Sequence, residues 1–442
     1  MTFAGITVRR AVAKKRPAML FAGLLTAGLA ISLFGCEGSN NAGSRATNVL
    51  YTQSNEPAAN TILAFRRASD GSLTPLPGSP FDTRGQGLAN PTENVGPSDA
   101  DNQFAINPEH TLLFSVNSGS NTIAVFNIAS DGSLSHIAGS PFPSGGVNPV
   151  SIRLVNGKLY CANKNVAGAG TPNYTVFSVA SNGALTQIGG PVATSPAGSS
   201  AAQIIESHDG KVIFTNDFLA PATPSPAGSL RSYKVNTDGT LSQNGAALTI
   251  PVTAPAGTPA DALPLYLVTQ GVTVHPTQNI FYACAPVSSK IGVYTYDANG
   301  TLTFNSLAQS SGLLSCWLLI NQNASRMYVV NTGDNSVSVM NLSNALAPVE
   351  IQHLALKDIG PTFQFVPFLP NIGSSTASEE AFDPSGQYLY VVSHRNNPDT
   401  AFHGGNRLHI LKVAADGTVS EPGASVDLGT TDSANSQGLL VL

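Results

Sequence analysis

Residues 117–134 read NSGSNTIAVFNIASDGSL, and this stretch decides the fold. A polar turn comes first. Ile123 and Val125 then alternate with other side chains in the two-residue period of a β-strand. The pair Asp131-Gly132 follows, and both residue types tolerate the positive φ that a tight hairpin turn needs. The stretch therefore predicts a turn, a strand, a hairpin and the start of another strand.

The same pattern recurs along the chain about every 58 residues, a spacing within the range of propeller blades. Six copies are clean, and one lacks the glycine. The copies are ILAFRRASDGSL ending at Leu73, IAVFNIASDGSL ending at Leu134, YTVFSVASNGAL ending at Leu185, LRSYKVNTDGTL ending at Leu241, IGVYTYDANGTL ending at Leu302, VSVMNLSNALAPV ending at Val349 and LHILKVAADGTV ending at Val419. Seven copies predict seven equivalent units.

A second element precedes six of these copies and consists of a short apolar strand, a turn and another strand, as in FAINPEHTLLFSVN. Each unit then has four antiparallel strands, which is the blade of a β-propeller. The sequence thus predicts an all-β fold, a seven-bladed propeller over residues 48–442. The first copy lacks its inner strand. We expect the C-terminal SQGLLVL (436–442) to supply it, pairing into blade one and closing the ring.

The first 35 residues differ in kind from the rest. Five basic side chains between Arg9 and Arg16 precede an apolar run from Ala18 to Phe34, which is the layout of a secretory signal peptide. An alternative is an uncleaved transmembrane anchor, because the run is nearly long enough to span a membrane. Residues 1–35 are therefore interpreted as a segment that directs export.

The ending LFGC resembles a bacterial lipobox, in which Cys36 receives lipid after cleavage. Residues 36–47 are small and polar, as in a flexible tether. We therefore expect a lipoprotein of the cell envelope, in the periplasm or at the outer membrane, whose membrane contact is the lipid anchor.

Charge and cysteine content exclude several classes of protein. Charged residues make up 11% of the chain, its net charge is −5, and removing residues 1–35 makes it more acidic, which argues against nucleic-acid binding. Beyond the proposed lipid site, Cys161, Cys284 and Cys316 are an odd set in apolar stretches, typical of buried thiols. No histidine spacing fits a metal site, so we expect no metal ion. We also expect no cofactor and a monomeric protein.

Inner strands of a propeller line its central channel, so the first residues of these strands are candidates for a ligand site. The positions are Gln103, Gln203, Gln270, Trp317, Glu379 and Gln437. Their amides either bind a polar ligand or join neighbouring blades. The indole of Trp317, the single tryptophan, either stacks on a sugar ring or packs between blades.

A connection in the last repeat holds the densest group of ionisable residues, SHRNNPDTAFHGGNR. A functional interpretation makes it a site for a carboxylate or phosphate, with Arg395 as the clamp and His394 or His403 as the acid–base group. The alternative is a solvated loop. The insertion at 358–378 carries Phe363, Phe365 and Phe368 and is a candidate for covering the channel.

Over residues 48–442 the chain resembles the lactonase family of seven-bladed propellers, which includes bacterial 6-phosphogluconolactonase and fungal carboxy-muconate cyclase. The resemblance is carried by NSGSNTIAVFNIASDGSL, VTVHPTQNIFYACA, IGVYTYDANGTL and FDPSGQYLYVVSHR. Active members share an Arg-His pair, a Glu and an Arg in an S-N-R turn. Gln270, Gly271 and Pro286 occupy the first three positions here, and Ser393-His394-Arg395 partly matches the turn in the last blade.

Two functions are therefore predicted. In the first, an exported lactonase-like propeller binds a small polar ligand or a protein partner at the cell envelope. In the alternative, the chain is a lactone hydrolase or cyclase with a rearranged active site, because the family's charged groups are replaced at their usual positions.

Overall fold

The computed structural model describes residues 45–88, 100–165, 172–193, 200–218, 228–260, 262–365 and 369–442. The predicted signal peptide, Cys36 and most of the tether lie outside these residues, as does Phe368. Within the described part of the chain, no helix has the length and apolar character to cross a membrane. Short 3-10 helices occur at Leu263–Leu267 and Pro286–Ser288.

The described chain is built from β-strands grouped by repeat. The first four repeats contain β1 (Val49–Gln53), β2 (Thr61–Arg67), β3 (Leu73–Pro75), β4 (Phe81–Asp82); β5 (Phe104–Ile106), β6 (Leu112–Asn117), β7 (Thr122–Ile128), β8 (Leu134–His136), β9 (Phe142–Pro143); β10 (Pro149–Val155), β11 (Lys158–Asn163), β12 (Asn173–Val179), β13 (Leu185–Gln187), β14 (Val192–Ala193); and β15 (Ala201–Glu206), β16 (Val212–Asp217), β17 (Ser229–Val235), β18 (Leu241–Gln243). The remaining strands are β19 (Val272–Val274), β20 (Ile280–Ala285), β21 (Lys290–Tyr296), β22 (Leu302–Gln309); β23 (Ser315–Ile320), β24 (Arg326–Asn331), β25 (Ser336–Asn341), β26 (Val349–Ala355); β27 (Thr362–Phe363), β28 (Ile372–Gly373); β29 (Ser375–Phe382), β30 (Tyr388–Arg395), β31 (Arg407–Val413), β32 (Val419–Ser420), β33 (Val426–Asp427); and β34 (Gln437–Val441).

Seven antiparallel sheets of four main strands confirm the predicted seven-bladed propeller. The inner strands are β34, β5, β10, β15, β19, β23 and β29 for blades one to seven, and each contacts the next around the ring. Four blades carry a further two-residue strand, which the sequence did not predict: β4, β9, β14 and β33 each pair with the third strand. In blade two the chain turns back so that the hydroxyl of Ser140 accepts a hydrogen bond from the N–H of Val125 at 2.8 Å.

The ring closes at blade one as predicted. Strand β34 pairs with β1 in antiparallel register, placing Tyr51 opposite Leu440. The N–H of Leu442 donates to the carbonyl of Val49 at 2.8 Å. The last residues of the chain therefore complete the first blade, and its inner edge is paired.

Packing between neighbouring blades forms the core. One apolar cluster joins Trp317 and Val330 of blade six to Leu389 and Val391 of blade seven. Tyrosine hydroxyls also reach from one blade to the hairpin turn of the next at 2.6–3.0 Å. These bonds run from Tyr51 to Gly132, Tyr160 to Gly239, Tyr282 to Ala345, Tyr328 to Gly417 and Tyr390 to Gly71. The contact recurs in five of the seven blades, and blades two and four have Phe114 and Phe214 at the equivalent position of their second strand.

The 358–378 insertion forms the small hairpin β27–β28. Phe363 and Phe365 pack half-buried against the cluster between blades six and seven, with their ring centroids 6.4 Å apart. These two rings therefore extend the apolar core of that blade contact.

Candidate active site

A cavity of about 350 Å³ lies in the central channel. Residues from the inner strands β10, β15, β19, β23, β29 and β34 line it, so it is shared by six blades. Its ionisable lining residues are Asp101, Arg153, Glu206, His208, His275 and Glu380. In a chain with 11% charged residues, this wall is unusually rich in groups that can transfer protons or carry charge.

Arg153 and Glu206 form a two-point ion pair on this wall. Nε and Nη2 of Arg153 each lie 2.7 Å from a carboxylate oxygen of Glu206, and both side chains are partly exposed. Burial alone would raise the pKa of Glu206, but the guanidinium of Arg153 outweighs it and the net pKa is lowered. Glu206 therefore stays ionised and holds the guanidinium in one orientation.

Asp101 lies just before β5 of blade two and contacts Gln203 on β15 of blade four. Its Oδ1 accepts the N–H of Asn102 at 2.6 Å, and its Oδ2 accepts Nε2 of Gln203 at 3.1 Å. Oε1 of Gln203 in turn accepts the N–H of Val272 at 2.7 Å, so this amide links Asp101 to blade five. Burial raises the pKa of Asp101, while the N–H of Asn102 and the charge of Arg153 partly oppose the shift.

Two further carboxyls follow each other on β29. Burial raises the pKa of Glu379 well above its ordinary value, and the nearby charge of Asp101 adds to the shift. The same two causes raise the pKa of Glu380. Both carboxyl oxygens of Glu380 are buried and without a hydrogen-bond partner in the described structure. Burial and the charge of Asp101 thus both favour the neutral form of Glu380, which lines the cavity.

Two histidines stand at turns near the cavity. Nδ1 of His275 accepts the N–H groups of Thr277 and Gln278 at 3.3 and 3.1 Å, which places the ring proton on Nε2. Burial, and then the neighbouring His208, lower the pKa of His275. Nε2 of His208 lies 2.7 Å from Oδ1 of Asn279, so that nitrogen donates and Nδ1 carries the lone pair. His275 thus stabilises its own turn and also lines the cavity.

The structure brings four of the six predicted channel residues to the region around Asp101. Gln203 donates a hydrogen bond to Asp101. The carboxyl of Glu379 lies close to the side chains of Asp101 and Gln103. It also contacts the N–H of Gly438, the residue after Gln437. These four side chains have exposed fractions of 0–2%. Oε1 of Gln103, Oε1 of Glu379 and both amide atoms of Gln437 have no hydrogen-bond partner in the described structure. None of Gln103, Glu379 and Gln437 is among the residues that line the cavity.

The other two channel candidates lie elsewhere. Trp317 is 3% exposed and packs in the cluster between blades six and seven, so no ring face is open for a sugar. Gln270 is 2% exposed, and its carbonyl accepts Nδ2 of Asn216 at 2.9 Å. Gly271 donates its N–H to Cys316, and a Cβ there would meet the backbone of Trp317. The histidine that the family resemblance implies at Gly271 therefore has no room.

In the last blade Arg395 and His403 both pair with Asp432, at 3.9 and 2.5 Å, but none of the predicted catalytic residues of this blade lines the cavity. His394 is 2% exposed, both ring nitrogens lack a partner, and burial lowers its pKa to about 4. Arg395 donates from Nη2 to the carbonyls of Asp399 and Phe402, each at 2.8 Å, and so holds its own loop. His403 is exposed and binds Asp432 at 2.5 Å.

Arg153, Glu206, Asp101 and Glu380 were not among the predicted site residues. A usable pattern was present, because each charged side chain lies in or just before an apolar inner strand of a chain with few charges. Among the described residues, no group of three His, Cys, Asp or Glu side chains has the geometry to hold a metal ion. Cys161, Cys284 and Cys316 are free and buried.

The seven blades and the polar cavity in their channel define a β-propeller with a cavity on its axis. The family model of the lactonases, described as seven-bladed β-propellers, matches residues 143–425. The chain therefore belongs to the lactonase family.

Solved structures agree with this fold. A proposed 6-phosphogluconolactonase from Bacteroides fragilis is 13% identical, with a TM-score of 0.62, and the match covers 92% of this chain and 100% of that one. A periplasmic gluconolactonase from Pseudomonas aeruginosa is 17% identical, with a TM-score of 0.61, and the match covers 89% of this chain and 99% of that one. At such identities the likeness shows the fold alone. No curated protein matches this sequence.

Proposed function

We propose that the protein hydrolyses a small lactone in the channel cavity. The observation that carries the proposal is one cavity wall that holds an oriented guanidinium, a hydrogen-bonded carboxyl group and a second carboxyl group whose buried oxygens have no partner in the described structure. Ring opening needs a base for the attacking water, a positive group for the oxyanion and an acid for the leaving oxygen. Membership of the lactonase family supports the same reaction class.

Asp101 is the base in this mechanism. Its carboxyl group is held by the N–H of Asn102 and the amide of Gln203, and Asp101 lines the cavity. Its pKa is raised by burial, so it accepts a proton more readily than an exposed aspartate does. Asp101 takes a proton from water as the water oxygen attacks the lactone carbonyl carbon.

Arg153 and Glu380 complete the step. The guanidinium of Arg153, held by Glu206, stabilises the negative charge that develops on the carbonyl oxygen. The bond from the carbonyl carbon to the ring oxygen then breaks, and Glu380 gives its proton to that oxygen. The product is a hydroxy acid, and the proton on Asp101 returns to Glu380 through solvent to restore both groups.

A binding module is the second candidate. The buried, unpartnered amide of Gln437 and the unpartnered Oε1 of Gln103 suit hydrogen bonds to a polar ligand without any reaction. In either case we infer a location outside the cytoplasm, with lipid at Cys36 as the anchor. The support is the basic and apolar pattern of residues 1–35 and the LFGC ending.

Ring opening of a panel of sugar and aryl lactones by the full-length protein tests the proposal. Three variants locate the site: Glu380→Gln, Arg153→Ala and Arg395→Ala. We expect Glu380→Gln to lower kcat/KM by about 10²–10⁴-fold and Arg153→Ala by about 10²–10³-fold. Arg395→Ala should keep most of the activity, because Arg395 binds its own loop.

Two results would contradict the hydrolase proposal. Turnover that disappears only in Arg395→Ala would move the site to the last blade. No turnover above buffer by the wild type would reject hydrolysis, and calorimetric binding of the same lactones without turnover would then favour the binding module.

A further inference from the structure

Resting on the proposed hydrolase activity, we infer that the cavity selects uncharged lactones and rejects lactones that carry a phosphate or carboxylate. The inference names the substrate class of the cavity from the charges of its wall. It also predicts which wall residue enforces the selection, namely Glu206.

The positive charge of Arg153 on the cavity wall is already balanced by the carboxylate of Glu206. Arg153 is the one guanidinium or ammonium group among the described residues that line the cavity. Two hydrogen bonds of 2.7 Å tie it to Glu206, whose carboxylate stays ionised. A substrate phosphate or carboxylate would have to displace Glu206 to gain a two-point contact with Arg153.

The rest of the wall is acidic. Asp101 and Glu380 line the same cavity, and Glu379 lies behind Asp101. An anionic group brought into the cavity therefore meets like charge on Asp101 and Glu206 and finds no unpaired cation on the described wall. The lactone ring itself is uncharged, so its hydrolysis needs no such cation until the oxyanion develops.

The same charges act on the product. Ring opening converts a neutral lactone into a hydroxy acid, which is an anion at neutral pH. The carboxylate so formed lies beside Asp101 and Glu206, which repel it. The hydrolysed product should therefore bind far more weakly than the lactone and inhibit little.

The experiment compares an aldonolactone with its 6-phosphorylated form, using full-length wild type, Glu206→Gln and Glu109→Gln. Glu109 is exposed on a surface turn and is the matched control. We expect the wild type to prefer the neutral lactone by roughly 100-fold in kcat/KM, which is ~2.7 kcal/mol at 1.36 kcal/mol per decade. Glu206→Gln frees Arg153 and should reduce this preference about tenfold or more, whereas Glu109→Gln should leave it unchanged.

The outcomes separate the two proposals. Hydrolysis of both lactones at similar rates, or a preference that Glu206→Gln does not change, overturns the inference and leaves the hydrolase in place. If neither lactone is hydrolysed, thermal stabilisation by the neutral lactone and not by the phosphorylated one would still support the charge selection. Equal stabilisation, or none, would overturn it together with the hydrolase.

Discussion

Replacing Glu380 by glutamine should change how the stability of the protein depends on pH. The Glu380 carboxyl is buried without a partner, and burial raises its pKa well above the ordinary value of 4.5. Between pH 4.5 and the raised pKa, the folded protein holds one more proton at this site than the unfolded chain. The contribution of Glu380 to stability is therefore complete below pH 4.5 and is lost as the pH rises through the folded-state pKa.

The magnitude follows from one proton. Each proton held only by the folded state lowers the free energy of unfolding by about 1.4 kcal/mol per pH unit as the pH rises. The difference between wild type and Glu380→Gln should change by up to that amount per unit above pH 4.5. Urea unfolding from pH 4 to 8, followed by the fluorescence of the single tryptophan, Trp317, measures it.

The test compares the slopes of the free energy of unfolding against pH and not its absolute values. Burying a glutamine amide lowers the stability by the same amount at every pH, so it leaves the slope unchanged. The exposed Glu109→Gln variant is the control and should run parallel to the wild type. If Glu380→Gln also runs parallel to the wild type between pH 5 and 8, Glu380 is not a buried, protonated acid. Its proposed role as the proton donor would then fail as well.

Three further predictions concern the ring and its anchor. Tyr390→Phe removes the hydroxyl that donates to the carbonyl of Gly71, from blade seven to blade one, at 2.8 Å, and should lower the free energy of unfolding in urea by about 1 kcal/mol. In the control Tyr294→Phe, the lost hydroxyl lies 3.4 Å from the carbonyl of Thr249, so the loss of stability should be smaller. Equal losses in the two variants would contradict the argument. Deleting residues 436–442 removes β34 and should replace one cooperative transition by earlier, broader unfolding; an unchanged transition would argue against closure by this strand. Cys36→Ser should abolish metabolic labelling with palmitate and membrane retention, whereas retention without label in the wild type would indicate a transmembrane anchor.

The fold could be predicted from the sequence because the patterns that determine it are short and recur along the chain. The pattern of strand, Asp-Gly turn and strand occurs in each blade, and the spare strand SQGLLVL indicated how the ring closes. The two-residue strands β4, β9, β14 and β33 were missed, since two residues are too few to show a period.

The candidate site was only partly readable. The rule that inner strands begin beside the channel pointed to Gln203, which lines the cavity, and to Glu379, which does not. It did not point to the pair of Arg153 and Glu206, because its members are 53 residues apart and meet only when blades three and four are side by side. The role predicted for Arg395 stays a prediction; its guanidinium binds backbone carbonyls of its own loop and pairs with Asp432, outside the cavity.

The pairing of β34 with β1 also sets the order of events during synthesis. Strand β1 is synthesised before the other described strands and β34 after them. The edge of β1 that pairs with β34 therefore stays unpaired while the other six blades emerge from the ribosome. Blade one reaches its final form only after β34 has been made. For a chain proposed to cross a membrane, this delay keeps the ring open until β34 emerges, and the unpaired edge of β1 is meanwhile free to pair with another strand.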